Sequence, residues 1–202
     1  MDTILDALAN ASVVTDTNNP QIVSNGGPND VQERVLALGK QLKSKAVQDE
    51  VLSNGVGLIS KPLALQVPPW QMVSSVLGSI PLRTATWWSS PTIPSTAGGV
   101  PGCWDVSLTT PPGPVQIATS GTWQGVTMAL TGGPKPDGNH AKLGVSSDGG
   151  DYVIFGDMNQ QGALSGNCGS SQNGRGGLFF VVRNSSLANS VRDLMSGGTA
   201  PN

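Results

Sequence analysis

Three short segments in the C-terminal third of the chain carry side chains that could handle a phosphodiester. They are Asn139-His140-Ala141-Lys142, Gly156-Asp157-Met158-Asn159 and Asn173-Gly174-Arg175-Gly176-Gly177. An imidazole can attack phosphorus or protonate a leaving oxygen. Ammonium and guanidinium groups stabilise charge on the non-bridging oxygens. Glycines let backbone N–H groups approach an anion. Together the segments predict a phosphate-handling site.

The strands expected around these segments explain how the side chains could meet. The patterns over 140–146 and 151–155 predict two strands, joined by a turn containing Asp148-Gly149, a strong hairpin signal. Side chains at i and i+2 on a strand point to the same face. We therefore expect His140 and Lys142 on one face, with residues 156–159 brought beside them by the returning strand.

Each segment taken alone has a more ordinary interpretation. A single histidine on a strand is usually a satisfied core or surface residue, Lys142 alone would be a solvated charge, and Gly174 to Gly177 alone would be a turn. Their joint occurrence in this order favours the site.

The remaining patterns outline one domain over residues 29–197. Residues 1–28 are interpreted as a polar, turn-rich segment and 198–202 as a tail. A helix is predicted from Asn29, its N-cap, and its apolar positions are Val31, Val35, Leu38 and Leu42. A second helix opens at Pro68-Pro69 and stops near Gly78. A third is capped by Ser185 or Ser186, with Leu187, Val191, Leu194 and Met195 on one face. Further strands are predicted at 81–88, 104–108, 114–119, 124–131 and 177–183.

Composition limits the classes of function. The chain has 202 residues, 12% of them charged, and a net charge of -2, so no global basic field indicates a nucleic-acid binder. No apolar run approaches the roughly 20 residues of a membrane span. The first residues do not read as a signal peptide. Cys103 and Cys168 leave a disulfide and free thiols equally open, and one histidine argues against structural zinc.

The three segments resemble the C-terminal motif of deoxyribonuclease II, a branch of the phospholipase D superfamily. His140-Ala141-Lys142 matches the His-x-Lys signature, residues 156–159 match Gly-Asp-x-Asn, and Arg175-Gly176-Gly177 follows in the same order. The specific likeness covers residues 139–182. A fainter one reaches back to residue 60, through the block from Trp70 to Trp88 and through Cys103-Trp104-Asp105. The superfamily's aspartate would fall at Ser147, one position before Asp148, so neither residue receives that role.

The resemblance implies an α/β fold, a phospholipase D-like sandwich with a mixed sheet flanked by helices, of which this chain would be one half. It implies a metal-independent endonuclease without cofactors, acting on DNA or RNA through a phosphohistidine. His140, Lys142 and Asn159 would be catalytic, and Asp157, Arg175 and Gly176 would bind substrate. It also implies a secreted or lysosome-like location. The lack of an apolar run long enough to span a bilayer predicts no membrane association.

The number of histidines separates this chain from the family it resembles. Family enzymes carry two His-x-Lys motifs, whereas this chain has only His140. The second motif would come from a homodimer partner or from a separate chain equivalent to the N-terminal half. The alternative is a catalytically degenerate domain that binds nucleic acid or phosphate, or that is structural. A phospholipid substrate ranks last, because no apolar lid or basic amphipathic helix supports it. Lys40, Lys43 and Lys45 are interpreted as a solvated face rather than a DNA-binding helix.

Overall fold

A seven-stranded sheet forms the centre of the protein in a computed structural model, which describes residues 1–13, 28–38, 43–132 and 138–202. Its strand order is β1-β2-β9-β8-β7-β3-β4, and β3 and β4 pair in parallel while the other neighbours are antiparallel. Strands β5 and β6 form a separate two-stranded hairpin. The strands are β1 (Gln48–Val51), β2 (Gly57–Lys61), β3 (Leu82–Thr86), β4 (Val115–Ile117), β5 (Ser120–Trp123), β6 (Val126–Ala129), β7 (Lys142–Ser146), β8 (Tyr152–Gly156) and β9 (Gly177–Arg183).

Helices cover both faces of this sheet. The described helices are α1 (Asp2–Asn10), α2 (Asn29–Leu36), α3 (Pro69–Val76) and α4 (Ser185–Leu194), with 3-10 turns at Leu63–Leu65 and Ser171–Gly174. Helix α3 packs Trp70 and Val73 against Ile154 and Phe179 on one face. On the other face α4 covers the middle of the sheet and α1 covers the end formed by β2 and β9. The protein is therefore a mixed α/β fold with a mostly antiparallel sheet flanked by helices.

The strand alternation decides which residues meet α3. Gly144 lies on the α3 face of β7, where an added Cβ would stand 2.4 Å from the ring of Trp70. The indole occupies the space that any larger side chain at position 144 would need. This close packing fixes the height of α3 above the strands that lead to the predicted site.

Several sequence predictions are confirmed with small shifts of boundary. The hairpin β7–β8, the buried strand β9 and helix α3 lie where the patterns placed them. Gly149 in the hairpin turn has φ +86°, a conformation suited to glycine. The predicted N-caps are wrong by one residue. Pro28 precedes α2, and Asn184 caps α4 by accepting a hydrogen bond from the Leu187 N–H.

Residues on both sides of the predicted domain, 29–197, pack against it. Residues 2–10 form helix α1, whose Ala7 lies in a core cluster with Leu58 and Leu178. The Ser60 hydroxyl donates to the Ala7 carbonyl at 2.8 Å, which ties α1 to β2. Residues 198–202 are not a free tail, because Ala200 is buried and its N–H donates to the Ile117 carbonyl at 2.9 Å.

Two further predictions fail for local reasons. Residues 104–108 form a turn rather than a strand, since the Asp105 carboxylate accepts the Ser107 N–H and the Trp104 indole donates to the Leu108 carbonyl. The stretch 124–131 supplies only β6, the second strand of a small hairpin that starts at Ser120.

Helix α2 does not bury its apolar positions. None of its residues is buried, and Arg34 forms ion pairs with Asp2 and Asp6 of α1. The helix ends at Leu36, so Lys43 and Lys45 lie beyond it, while Lys40 and Leu42 fall outside the described residues.

A disulfide joins Cys103 to Cys168. It decides the alternative that the sequence left open. The bond links the long connection after β3 to the connection between β8 and β9, and both connections border the predicted site.

Candidate functional site

One end of the central sheet gathers the three predicted segments. Strand β7 begins at Lys142, β8 ends at Gly156 and β9 begins at Gly177. Because β8 is the antiparallel neighbour of both β7 and β9, these strand ends lie at one edge. Strand β3 also ends there, since Thr86 pairs with Lys142. The topology therefore brings together segments that are well separated in the sequence.

His140 lies at the exposed surface beside these strand ends, two residues before β7. The prediction that the strand starts at His140 is wrong, since β7 begins at Lys142. The imidazole is exposed and packs against the ring of Trp87, with ring centroids 4.5 Å apart and planes tilted by 50°. The Lys142 ammonium donates to the backbone carbonyl of His140 at 2.7 Å. The ring is therefore supported on one side and open to solvent on another.

Asp157 joins the ends of β8 and β9. Its carboxylate accepts the Leu178 N–H at 3.0 Å, and its own N–H donates to the Leu178 carbonyl at 3.2 Å. Partial burial raises the pKa of Asp157, while the hydrogen bonds and the nearby Lys142 ammonium oppose that rise. Asp157 therefore lies within electrostatic reach of Lys142, and its hydrogen bonds hold the strand ends together.

Asn159 is enclosed in the loop behind the edge. Its side chain is buried. Its backbone N–H donates to the Gln172 amide oxygen at 3.4 Å, and its side-chain Nδ2 donates to the Gln161 amide oxygen at 3.2 Å. Gln161 is held in turn by a 2.7 Å hydrogen bond to the Ser89 carbonyl. The Asn159 Oδ1 atom has no partner in the part of the chain that the structure describes. The amide is thus oriented by its neighbours and less accessible than His140.

Arg175 and Gly176 precede β9 and differ in their surroundings. Arg175 is exposed at the end of the second 3-10 turn. Gly176 packs against α1, where an added Cβ would stand 1.7 Å from the Ala11 carbonyl oxygen. Packing is therefore a sufficient reason for glycine at position 176, whether or not its N–H meets an anion.

Sequence reasoning missed two residues that hold this end of the sheet in place, one aromatic and one polar. Trp87 carries the His140 ring, and its indole N–H is buried without a described partner. Gln160 anchors the loop after β8, because its N–H donates to the Thr86 hydroxyl at 3.0 Å and its side chain donates to Gln71 at 3.2 Å. The Trp87-Trp88 pair at the end of a strand was a visible signal for the first support. Nothing in the pattern indicated the second.

Lys61 is a third residue that the sequence analysis missed. Its side chain is fully buried at the end of β2, and its ammonium donates to the carbonyls of Asn173 and Arg175 at 2.8 and 2.7 Å. It makes no ion pair with a carboxylate of the described residues, and burial lowers its pKa to about 7. Lys61 holds the backbone that carries Arg175. A lysine closing the apolar run Leu58-Ile59 was the available signal.

Stability should rise with pH because of Lys61. Its folded pKa of about 7 lies below the value of roughly 10.4 for an unfolded lysine, so the unfolded chain binds more protons between these pH values. The free energy of unfolding should gain up to roughly 1.4 kcal/mol per pH unit from pH 7 towards pH 10. Urea unfolding of wild type and Lys61→Met at several pH values measures the difference.

The exposed Lys43→Met variant is the matched control for that experiment, and its stability should follow wild type at each pH. Parallel curves for wild type and Lys61→Met would show that Lys61 stays charged in the fold.

Comparison with known proteins leaves these segments without an assigned role. No family model matches the chain, and no curated protein matches it. Within the described ranges, no group of three His, Cys, Asp or Glu side chains is placed to hold a metal ion. No helix among the described residues is long and apolar enough to span a membrane.

Proposed function

We propose that this protein is a metal-independent phosphodiesterase that cleaves DNA, with His140 and Lys142 at its centre. One observation carries the proposal. The sheet places the His-x-Lys segment beside the Gly-Asp-x-Asn segment at one edge, with an exposed imidazole and an ammonium at its mouth. We also propose that the sheet and its helices correspond to one half of a phospholipase D-like sandwich.

The chemistry requires two imidazoles with different roles. A nitrogen of one His140 attacks phosphorus and forms a P–N bond, while the bond from phosphorus to the leaving oxygen breaks. A second, protonated imidazole gives its proton to that oxygen. Water then attacks phosphorus, the P–N bond breaks, and the second imidazole takes back a proton.

The neighbouring side chains stabilise the charge that develops on the phosphate. Lys142 and Asn159 hold non-bridging oxygens, for which the Asn159 amide has an N–H besides the one donated to Gln161. Arg175 is a secondary phosphate ligand at the exposed end of its loop. Asp157 orients the strand ends and the Lys142 ammonium.

The second imidazole comes from a second chain, because this one contains a single histidine. A two-fold symmetric dimer brings a residue near its axis against the same residue of its partner. The exposed position of His140 at the sheet edge suits such a meeting. A separate chain equivalent to an N-terminal half would supply the same group.

A degenerate domain that binds nucleic acid or phosphate is the second candidate. The lone histidine and the Asn159 amide already bonded to Gln161 favour it. Under this function the same edge would bind a phosphate without cleaving the ester.

A nuclease assay in excess EDTA, combined with light scattering, separates the two candidates. We expect cleavage of DNA to continue at an unchanged rate in EDTA, because the proposed chemistry uses imidazole rather than a metal-bound water. We expect light scattering to show a dimer at the concentrations that are active. Inhibition that magnesium reverses would contradict the proposed mechanism, and binding without cleavage at any concentration would favour the degenerate domain.

A further inference from the structure

A mixed polar and aromatic pocket lies beside the disulfide, separate from the His140 segment. Its volume is about 520 Å³, and it is formed by the chain after α2, the first 3-10 turn and the turn after Cys103. Among its lining residues are Lys43, Lys45, Leu65, Gln66, Trp104 and Cys168. None of these residues belongs to the proposed catalytic edge.

Among the described residues, one lysine at this pocket carries a positive charge that no carboxylate neutralises. Lys45 forms an ion pair with Asp105 at 2.8 Å. The hydrogen bond from Lys45 and those from Ser107 lower the pKa of Asp105 to about 2, so the pair stays ionised and internally neutral. Lys43 is exposed and has no ion-pair partner within the described part of the chain. Its charge is therefore available to an anion at the mouth of the pocket.

Trp104 supplies an aromatic surface in the same pocket. The indole is half-buried and packs at the margin of the core around α3, and its N–H donates to the Leu108 carbonyl. These contacts hold the ring in place as part of the pocket wall. A fixed aromatic ring and a lysine that line one pocket are groups that can bind an unpaired base and its phosphate.

The two 3-10 turns connect the pocket to the proposed site. The first 3-10 turn lines the pocket and contacts the second 3-10 turn, which Arg175 follows. Lys61, two residues before the first turn, donates to the carbonyls of Asn173 in the second turn and of Arg175 just after it. The pocket and the segment that carries Arg175 are therefore linked through the contact between the two turns.

We propose that this pocket binds one nucleotide of a single-stranded DNA segment outside the scissile phosphodiester. The base packs against Trp104 and the phosphate pairs with Lys43. This inference rests on the proposed function for the identity of the ligand. It adds a second contact point that would select unpaired DNA over small phosphodiesters.

Binding of a labelled single-stranded 12-mer of thymidylate tests the pocket directly. Fluorescence anisotropy is measured on the full chain carrying His140→Ala, so that cleavage does not interfere. Adding Lys43→Glu should raise Kd about tenfold, since a phosphate contact becomes a repulsion. Adding Trp104→Ala should raise it roughly tenfold through lost stacking. Arg183→Glu, at the opposite end of β9, is the control and should leave Kd within about twofold of the parent value.

Circular dichroism and thermal unfolding verify that each variant is folded. If Trp104→Ala does not fold, the Kd of Lys43→Glu alone decides the test. An unchanged Kd for Lys43→Glu, or no measurable binding by the parent chain, would overturn the proposal that the pocket binds a nucleotide. A fall in affinity as large for Arg183→Glu would overturn it as well, by showing a diffuse charge effect.

Turnover of bis(4-nitrophenyl) phosphate separates failure of the pocket from failure of the proposed function. This small phosphodiester does not reach the pocket, so Lys43→Glu should leave its hydrolysis unchanged in the chain with His140 intact. If wild type hydrolyses neither substrate but Lys43→Glu still weakens binding, the pocket stands and the nuclease proposal fails. If both substrates are cleaved and the 12-mer Kd is insensitive to Lys43, the nuclease stands and the pocket fails.

Discussion

Replacing His140 with alanine is expected to reduce the kcat for DNA cleavage by at least about 100-fold, the loss typical of removing an acid–base or nucleophilic group. His140 is the one imidazole in the chain, and its exposed ring packs against Trp87. The fold should survive, because the ring lies outside the core. The measurement is kcat on plasmid DNA, with circular dichroism and thermal unfolding of the variant. Activity above a tenth of wild type would show that His140 is not the nucleophile.

Mixing wild type with an excess of His140→Ala chains tests where the second imidazole originates. In a homodimer each hybrid holds one histidine, so activity should fall below the fraction of wild-type chains after subunit exchange. A fall strictly proportional to that fraction would show that each chain works alone or with a different partner. The same mixing with Lys43→Ala chains is the control, and it should leave activity on the small phosphodiester unchanged.

Removing the disulfide is expected to destabilise the fold by about 4 kcal/mol, the chain-entropy value for a loop of this length. Cys103 and Cys168 are 65 residues apart in the sequence. The bond joins two long connections that depend on few strand contacts, so their unfolded ensemble is large when it is absent. Urea unfolding of wild type and of the double variant Cys103→Ala with Cys168→Ala measures the difference.

A reductant provides the internal control for the disulfide experiment. It should lower the stability of wild type towards that of the double variant and leave the double variant unchanged. A difference below about 1 kcal/mol would show that the connections are held by their hydrogen bonds instead. The pocket lined by Cys168 should lose affinity for the 12-mer under the same reducing conditions.

Local signals were enough to predict the elements nearest the candidate site. The Asp148-Gly149 turn and the apolar runs on either side predict the β7–β8 hairpin, and the run from Gly177 to Arg183 predicts β9. These patterns reflect backbone preferences and burial within a few residues. The grouping of 139–142 with 156–159 follows from that hairpin alone.

Longer-range features could not be inferred in this way. Residues 2–10 have a modest apolar pattern, and what makes them part of the domain is the contact of Ala7 with Leu58 and Leu178 from distant strands. The short C-terminal segment is ordered for the same kind of reason, through the Ala200–Ile117 hydrogen bond. No window of sequence contains either contact.

The sequence by itself determined the chemistry that this protein can offer: one imidazole, a lysine two residues on, and the glycine-flanked segments that follow. Only the tertiary structure decided the setting of those groups. It placed the His140 ring on Trp87, bonded the Asn159 side-chain amide to Gln161 and its backbone N–H to Gln172, and buried Lys61 beneath the Arg175 loop. Side-chain identity is local, whereas burial and hydrogen-bond partners depend on strands paired across the sheet, and those pairings set the desolvation that shifts a pKa.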